Sequence, residues 1–332
     1  MPNEIFKVET GVQLSSFAKS QTLFSSNNKS SHEYSKDTLT IAKALGTVLR
    51  QLQLSGRRER TLHDYQKWTE HYCITTGNTL LAEITVDSIY YWLSSMGDIS
   101  NTTKNIRLKS FKAVLSRFHE NGWLPVKFWS NIVIKVDKKV KPAATDSDVT
   151  LLLSLLDLSD WFQLRDACAI LLMYRCGLRT ATVSKLREEH LDFQNGYLNL
   201  TGDIMKNHDT LKLPIDTNLI QLLEALITVN HRIKQSRHEN NTLVFVTKQG
   251  TCCQTAFNNN VLQKRIGKYS NQLELGNVSP HALRRGFATN LMKQGAPVSL
   301  IQHALGHADL STTTQYLYLS QEDTATQLKQ YL

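Results

Sequence analysis

From Thr38 onward apolar residues recur at three- and four-residue steps. Leu39, Ile41, Leu45, Val48, Leu49 and Leu52 stop near Ser55-Gly56 and predict an amphipathic helix. The same period predicts helices around 61–75, 86–96, 101–121 and 124–133. Trp68, Trp92, Trp123 and Trp129 lie in this block and read as the aromatic core of a small helical domain, residues 38–135. Residues 1–37 are different: Ser, Asn, Gln and Thr dominate, no period is sustained, and the segment reads as a mobile arm.

The stretch 136–148, VDKKVKPAATDSD, is charged, poor in apolar residues and carries Pro142, so it reads as a linker to a second domain, 149–332. Asp146 and Asp148 form a capping region ahead of the run VTLLLSLLD. A helix over 161–176 is expected to bury one face through Leu164, Ala167, Cys168, Leu171 and Leu172, with Gly177 ending it. Asn195-Gly196 between two β-like runs signals a hairpin, and TLKLPI at 210–215 supplies a third strand. Helices near 216–234, 254–270, 280–294, 297–305 and 321–331, with a strand-like LVFV at 243–246, complete the pattern. The predicted class is mainly α: a helical N-terminal domain, then an α-rich domain with a small antiparallel β-sheet.

With 332 residues and 41% hydrophobic content the chain can bury a core in each domain. No apolar run approaches the roughly 18 to 20 residues of a membrane span, and MPNEIFKVETG lacks a signal-peptide layout, so a cytoplasmic protein with no membrane partner is expected. The five cysteines, Cys73, Cys168, Cys176, Cys252 and Cys253, have no C-x-x-C spacing and read as thiols rather than a zinc site.

The formal charge is +9, from 38 Lys and Arg against 29 Asp and Glu, and it is unevenly placed. Residues 1–145 carry 20 basic and 12 acidic residues, whereas 146–332 carry 18 and 17. Such an excess points to a polyanion partner. Along 102–120, Ile106, Phe111, Val114, Leu115 and Phe118 are expected on the apolar side, leaving Lys104, Arg107, Lys109, Lys112 and Arg117 on the rest. These, with Lys139 and Lys141 of the linker, are candidate nucleic-acid contacts; a solvated basic face is the alternative.

Candidate chemistry lies in SPHALRRGFATNLMKQGA, 279–296. Ser279 as N-cap and Pro280 at the first helical position start a helix on which His281 and Arg284 share one face, at the end where the dipole favours an anion such as phosphate. A solvated first turn is the alternative. Arg285 points elsewhere and is a candidate surface contact to a phosphate backbone. After PVSLIQHAL, Gly306 fits a left-handed helix end. His303 and His307 then do not share one unbroken helix, which counts against a zinc pair. Tyr316 follows His307 by nine residues, and Tyr318 is its neighbour and rival.

Gly177-Leu178-Arg179, His281-Ala-Leu-Arg284, Leu305-Gly306-His307 and Tyr316, in this order and spacing, resemble the tyrosine recombinase (phage integrase) family over about residues 150–325. The preceding basic helical region resembles that family's core-DNA-binding domain. The resemblance implies an integrase-type catalytic fold and a metal-independent, site-specific DNA recombinase with no cofactor, working through a 3′-phosphotyrosyl intermediate. Tyr316 would be the nucleophile, Arg179 and Arg284 the clamp on the phosphate, His281 the general acid/base, and His307 a hydrogen-bond donor to the phosphate. A lysine of the hairpin turn would protonate the leaving oxygen; Lys206 fits, with Lys212 as the alternative.

Two departures stand out. The turn reads Met-Lys-Asn where the family usually has Gly-Lys-Gly, and Thr182 stands where it commonly has Glu or Asp. The implied partners are a double-stranded recombination site, further copies of the chain in a synaptic tetramer linked by the tail 321–331, and accessory directionality or architectural proteins, with action at the nucleoid. The competing readings are a type IB topoisomerase-like enzyme, a DNA-binding regulator with vestigial boxes, and a metal-dependent nuclease.

Overall fold

The computed structural model describes residues 38–136, 142–206, 209–256, 259–275, 278–306 and 329. The arm 1–37, Lys139, Lys141, His307, Tyr316, Tyr318 and, apart from Lys329, the expected tail helix lie outside the described residues. The chain divides into two compact units, residues 1–137 and 138–332.

The first unit contains α1 (Ile41–Leu54), α2 (Glu59–Thr76), α3 (Val86–Ser94) and α4 (Asn101–Glu120). Thr40, Thr85 and Ser100 cap α1, α3 and α4, each hydroxyl accepting from a backbone N–H of the first turn. In the core Tyr72 stacks on Phe111 with ring centres 4.5 Å apart, and Trp92 meets both edge-on at 5.9 and 5.3 Å. The Trp92 indole N–H donates to His71 Nδ1 at 2.9 Å. Burial, then Arg107 and Lys67, hold His71 below the usual histidine pKa, which suits an accepting ring nitrogen.

Two expectations fail in this unit. Residues 124–133 form only a 3-10 turn, Phe128–Asn131, because Pro125 lacks an N–H and disfavours helical backbone before it. Ile106 is 59% exposed. Leu108, Phe111, Leu115 and Phe118 share the buried stripe, and at 100° per residue Ile106 falls on the opposite side.

The second unit contains α5 (Asp146–Ser154), α6 (Trp161–Arg175) and α7 (Thr180–Ser184), then strands β1 (Leu191–Asp192), β2 (Tyr197–Leu200) and β3 (Leu211–Pro214). These strands form an antiparallel sheet in the order β1-β2-β3, and Gly196, φ +71°, closes the predicted hairpin. Helix α8 (Thr217–Ser236), a second hairpin of β4 (Gln254–Ala256) and β5 (Asn259–Asn260), and helices α9 (Val261–Gln272), α10 (Pro280–Lys293) and α11 (Val298–Leu305) follow. The helix expected from 254 starts at 261 because Asn260 caps it, accepting from the Gln263 N–H. In LVFV, Val244, Phe245 and Val246 are buried, but the run makes only isolated bridges, Arg187 with Leu243 and Val246 with Cys252.

Helix α6 is the axis of this unit. It packs against α8, α9 and α10, so every residue from Leu164 to Tyr174 is buried and not the single expected face. Its two buried charged residues are satisfied inside: Arg165 donates to the Val246 carbonyl at 2.9 Å and to Asp166, which also accepts from Arg265 and Tyr269.

The second half of the expected linker is pinned. The Ala144 N–H donates to the Ala282 carbonyl at 3.0 Å, and Thr145 rather than an aspartate caps α5. Helix α10 comes so close here that a β-carbon on Gly286 would stand 2.5 Å from Tyr174 Cε2 and 2.8 Å from the Ala144 carbonyl oxygen. Among the described residues no helix is long and apolar enough to cross a membrane.

Candidate active site and nucleic-acid face

The first box is built by the turn between α6 and α7. Gly177 takes the left-handed conformation, φ +64°, and the Leu178 N–H returns to the Leu172 carbonyl at 3.2 Å. The chain therefore leaves α6 sharply and delivers half-buried Arg179 to the N-cap of α7. No side chain other than glycine fits at 177, because a β-carbon would fall on the Phe287 ring of α10.

Arg284 gathers the boxes. It is only 4% exposed, and its guanidinium donates from Nη1 to the Gly177 carbonyl and from Nη2 to the Leu305 carbonyl. One side chain thus joins the α6–α7 turn, the first turns of α10 and the C-terminal end of α11. That end closes as predicted, with Gly306 left-handed at φ +57°. Helix α10 starts as predicted, with Ser279 accepting from the Ala282 N–H at 3.2 Å and Pro280 at the first position. His281 is exposed on that first turn, one turn before Arg284. A buried, permanently charged fork beside a helix N-terminus is suited to a phosphate.

The turn after β2 carries Lys206, which is exposed. Three neighbours hold the turn: His190 and Arg187 bind Thr201 and Asp203 at 3.0 Å each, and the Thr182 hydroxyl donates to the Ile204 carbonyl at 3.4 Å. Met205 is buried, and its methyl group covers Gly306, where a β-carbon would stand 3.0 Å from it. Sequence reading passed over Ile204 and Met205, although two apolar residues inside the polar GDIMKNHD were a signal of anchoring. Lys212 lies on β3 with its ammonium 4.2 Å from the centre of the Tyr197 ring.

Arg285 does not face outward as expected. It is 9% exposed and donates from Nε and Nη2 to the Pro142 carbonyl at 3.1 and 2.8 Å, tying α10 to the segment before α5. The cysteines are unpaired, and burial pushes the Cys168, Cys176 and Cys253 thiols up to about 12.

In the first unit, the basic residues of α4 divide by role. Lys109 is exposed, and Lys104 is partly so. Arg117 pairs with Glu120 at 2.7 Å on the surface. Lys112 is turned inward: its ammonium donates to the Ser130 and Ile132 carbonyls at 2.9 and 3.1 Å, and burial lowers its pKa. It is a strut of the fold, contrary to its expected place among the nucleic-acid contacts. Arg107 lies over the half-buried Trp68 indole, 4.3 Å from the ring centre, with Lys67 also above that ring at 4.9 Å. Trp68 therefore serves as a platform for cations as well as a core residue.

Residues 145–323 match the family model described as the phage integrase family. The chain is 30% identical over 182 residues to tyrosine recombinase XerA of Pyrococcus horikoshii, a region covering 55% of this chain and 58% of that protein. It is 25% identical over 286 residues to tyrosine recombinase XerC of Shewanella sp. (strain W3-18-1), covering 78% and 89%. The match to the first of these therefore spans less than two thirds of the relative's length. Among solved structures, the Tn1549 transposon integrase in complex with transposon right end DNA aligns over 89% of this chain and 99% of that one, with a TM-score of 0.66 at 16% identity. That likeness establishes the integrase-type fold.

Proposed function

The chain belongs to the phage integrase family, and on that premise we propose that it is a site-specific DNA recombinase that cuts and rejoins strands through a 3′-phosphotyrosyl intermediate. The observation that carries this reading is the Arg284 guanidinium bound at once to the Gly177 and Leu305 carbonyls, which draws three separated sequence boxes to one place.

In the proposed reaction the Tyr316 oxygen bonds to phosphorus while the bond from phosphorus to the 5′ oxygen breaks. The phenolic proton passes to His281, and the Lys206 ammonium gives a proton to the departing oxygen, leaving a 5′-hydroxyl. Arg179 and Arg284 offset the charge that grows on the non-bridging oxygens, and His307 donates to one of them. Attack by a 5′-hydroxyl of another strand reverses the step, so no nucleotide is consumed. Two arginines in this role do the work a divalent cation does elsewhere. Solved relatives are held on a DNA core site and on transposon right end DNA, which supports a duplex partner. Integration, excision or resolution of a DNA element by a synaptic tetramer in the cytoplasm, with tail exchange and accessory proteins, fits the reading.

The test is covalent capture. The protein is mixed in EDTA with nicked duplexes whose central ~30 base pairs are randomised, a span comparable to the DNA sites of large dimeric proteins, and protein-linked DNA is recovered and sequenced. Wild type is expected to give an adduct with a shared core sequence and Tyr316→Phe none. An adduct with Tyr316→Phe, or none with wild type, overturns the reading, and cutting only after a divalent metal is added returns the nuclease alternative.

A further inference from the structure

The turn that presents Lys206 is held differently from what its sequence suggests. Glycines would leave such a turn loose, whereas here Ile204 and Met205, the two residues before the lysine, are both buried. The turn is closed on itself by the Ile204 and Met205 N–H groups, which both donate to the Thr201 carbonyl at 3.2 and 3.3 Å. Beside the contacts from Arg187 and His190, two outer attachments come from different boxes. Thr182, 2% exposed on α7 and three residues after Arg179, donates its hydroxyl to the Ile204 carbonyl. The Met205 methyl lies against Gly306 at the end of α11, with Leu211 of β3 beside it.

We propose that Thr182 and Met205 are positioning residues for Lys206: hydroxyl and thioether clamp the turn from two sides and set the ammonium relative to the arginine boxes. The inference rests on the reading of Lys206 as general acid. Thr182 acts through its proton, donated to a carbonyl, a contact an ionised carboxylate at this position could not make. Met205 acts by shape. A β-carbon at 306 would stand 3.0 Å from its methyl and force it to give by a few tenths of an ångström, so the glycine of the third box also serves the lysine turn. Neither residue touches the reacting atoms; each removes freedom from the group that does.

A 5′-bridging phosphorothiolate separates this role from a general structural one. Its leaving group is a thiolate, which departs without protonation because a thiol pKa lies near 8.5. On the duplex recovered by covalent capture, Thr182→Val and Met205→Ala are each expected to lose about 10- to 100-fold in adduct formation, as ångström-scale misplacement of a catalytic group does. They should recover to near wild-type rate when the cut position carries the sulfur. Thr182→Ser and Met205→Leu, which keep the hydroxyl and the bulk, should stay within a few-fold of wild type.

Lys206→Ala run alongside keeps the two claims apart. If it is not rescued by sulfur, Lys206 is not the general acid and the underlying reading fails. If it is rescued while Thr182→Val and Met205→Ala lose rate on both substrates alike, or lose none, the positioning roles are wrong. A circular-dichroism melt of each variant identifies loss of fold, in which case Thr182→Ala and Met205→Val, which also remove the hydroxyl and the thioether methyl, carry the same comparison.

Discussion

The ring of Phe287 occupies the space in which a side chain at Gly177 would have to begin. The contact joins the turn after α6 to the middle of α10, and the same two elements are tied by the hydrogen bond from Arg284 to the Gly177 carbonyl. Packing and polar contact therefore fix one geometry together. Gly177→Ala must carry a β-carbon at φ +64° and push the ring aside. The cost expected is about 2 to 5 kcal/mol, from left-handed backbone and overpacking, read as a lower urea midpoint. Phe287→Leu in the same chain should return part of it.

Arg284→Lys is the sharper test of the site. A lysine keeps the charge but cannot span two carbonyls as a planar fork does. Adduct formation is expected to fall at least about 100-fold, as when a transition-state donor is removed, while stability drops by about 1 to 3 kcal/mol for the buried carbonyl left unpaired. Rates near wild type would mean that the bridge is not what organises the site.

Salt dependence should distinguish two basic residues of one helix. Arg107, laid over Trp68, is expected to meet a phosphate, so Arg107→Ala should lower the slope of log affinity against log salt by about 0.9. Lys112 spends its ammonium on the Ser130 and Ile132 carbonyls. Lys112→Met should leave the slope unchanged and lower stability instead. Filter binding or fluorescence anisotropy between 50 and 300 mM salt decides between them, across the range where such slopes are steep.

Alkaline pH should loosen the second unit in a defined window. Burial and the hydrogen bond to Asp146, 2.5 Å long, push the Tyr174 phenol from 10.0 up to about 12. The unfolded chain then loses this proton first. The stabilisation is complete below pH 10 and is lost as pH rises through 12. The difference in denaturation midpoint between wild type and Tyr174→Phe should shrink across that interval. A constant difference would show that the phenol titrates alike in both states.

The helical start of each unit was open to sequence reading because the signals are local. Ser279-Pro280 and the αL glycines 177, 196 and 306 act within a few residues of themselves. The boxes were legible as spacing for the same reason. What escaped depends on partners distant in sequence. Arg285 looks like a surface cation until the Pro142 carbonyl arrives from 143 residues away, and Lys112 until Ser130 and Ile132 close over it. In helix α6 Arg165 and Asp166 interrupt the apolar pattern, and only Val246, Arg265 and Tyr269, all distant in sequence, make that pair tolerable inside. Ile106 was misplaced by a local error of phase that the three-dimensional stripe corrects.

The two carbonyl partners of Arg284 come from places 107 and 21 residues away along the chain, on either side of it. The bridge cannot exist in part: before α11 has docked, or while the α6–α7 turn is open, the guanidinium lacks the frame that aims it. A nascent or partly unravelled chain therefore carries all the letters of the three boxes and none of their joint action. For a protein proposed to break DNA, that is a safeguard supplied by the fold itself.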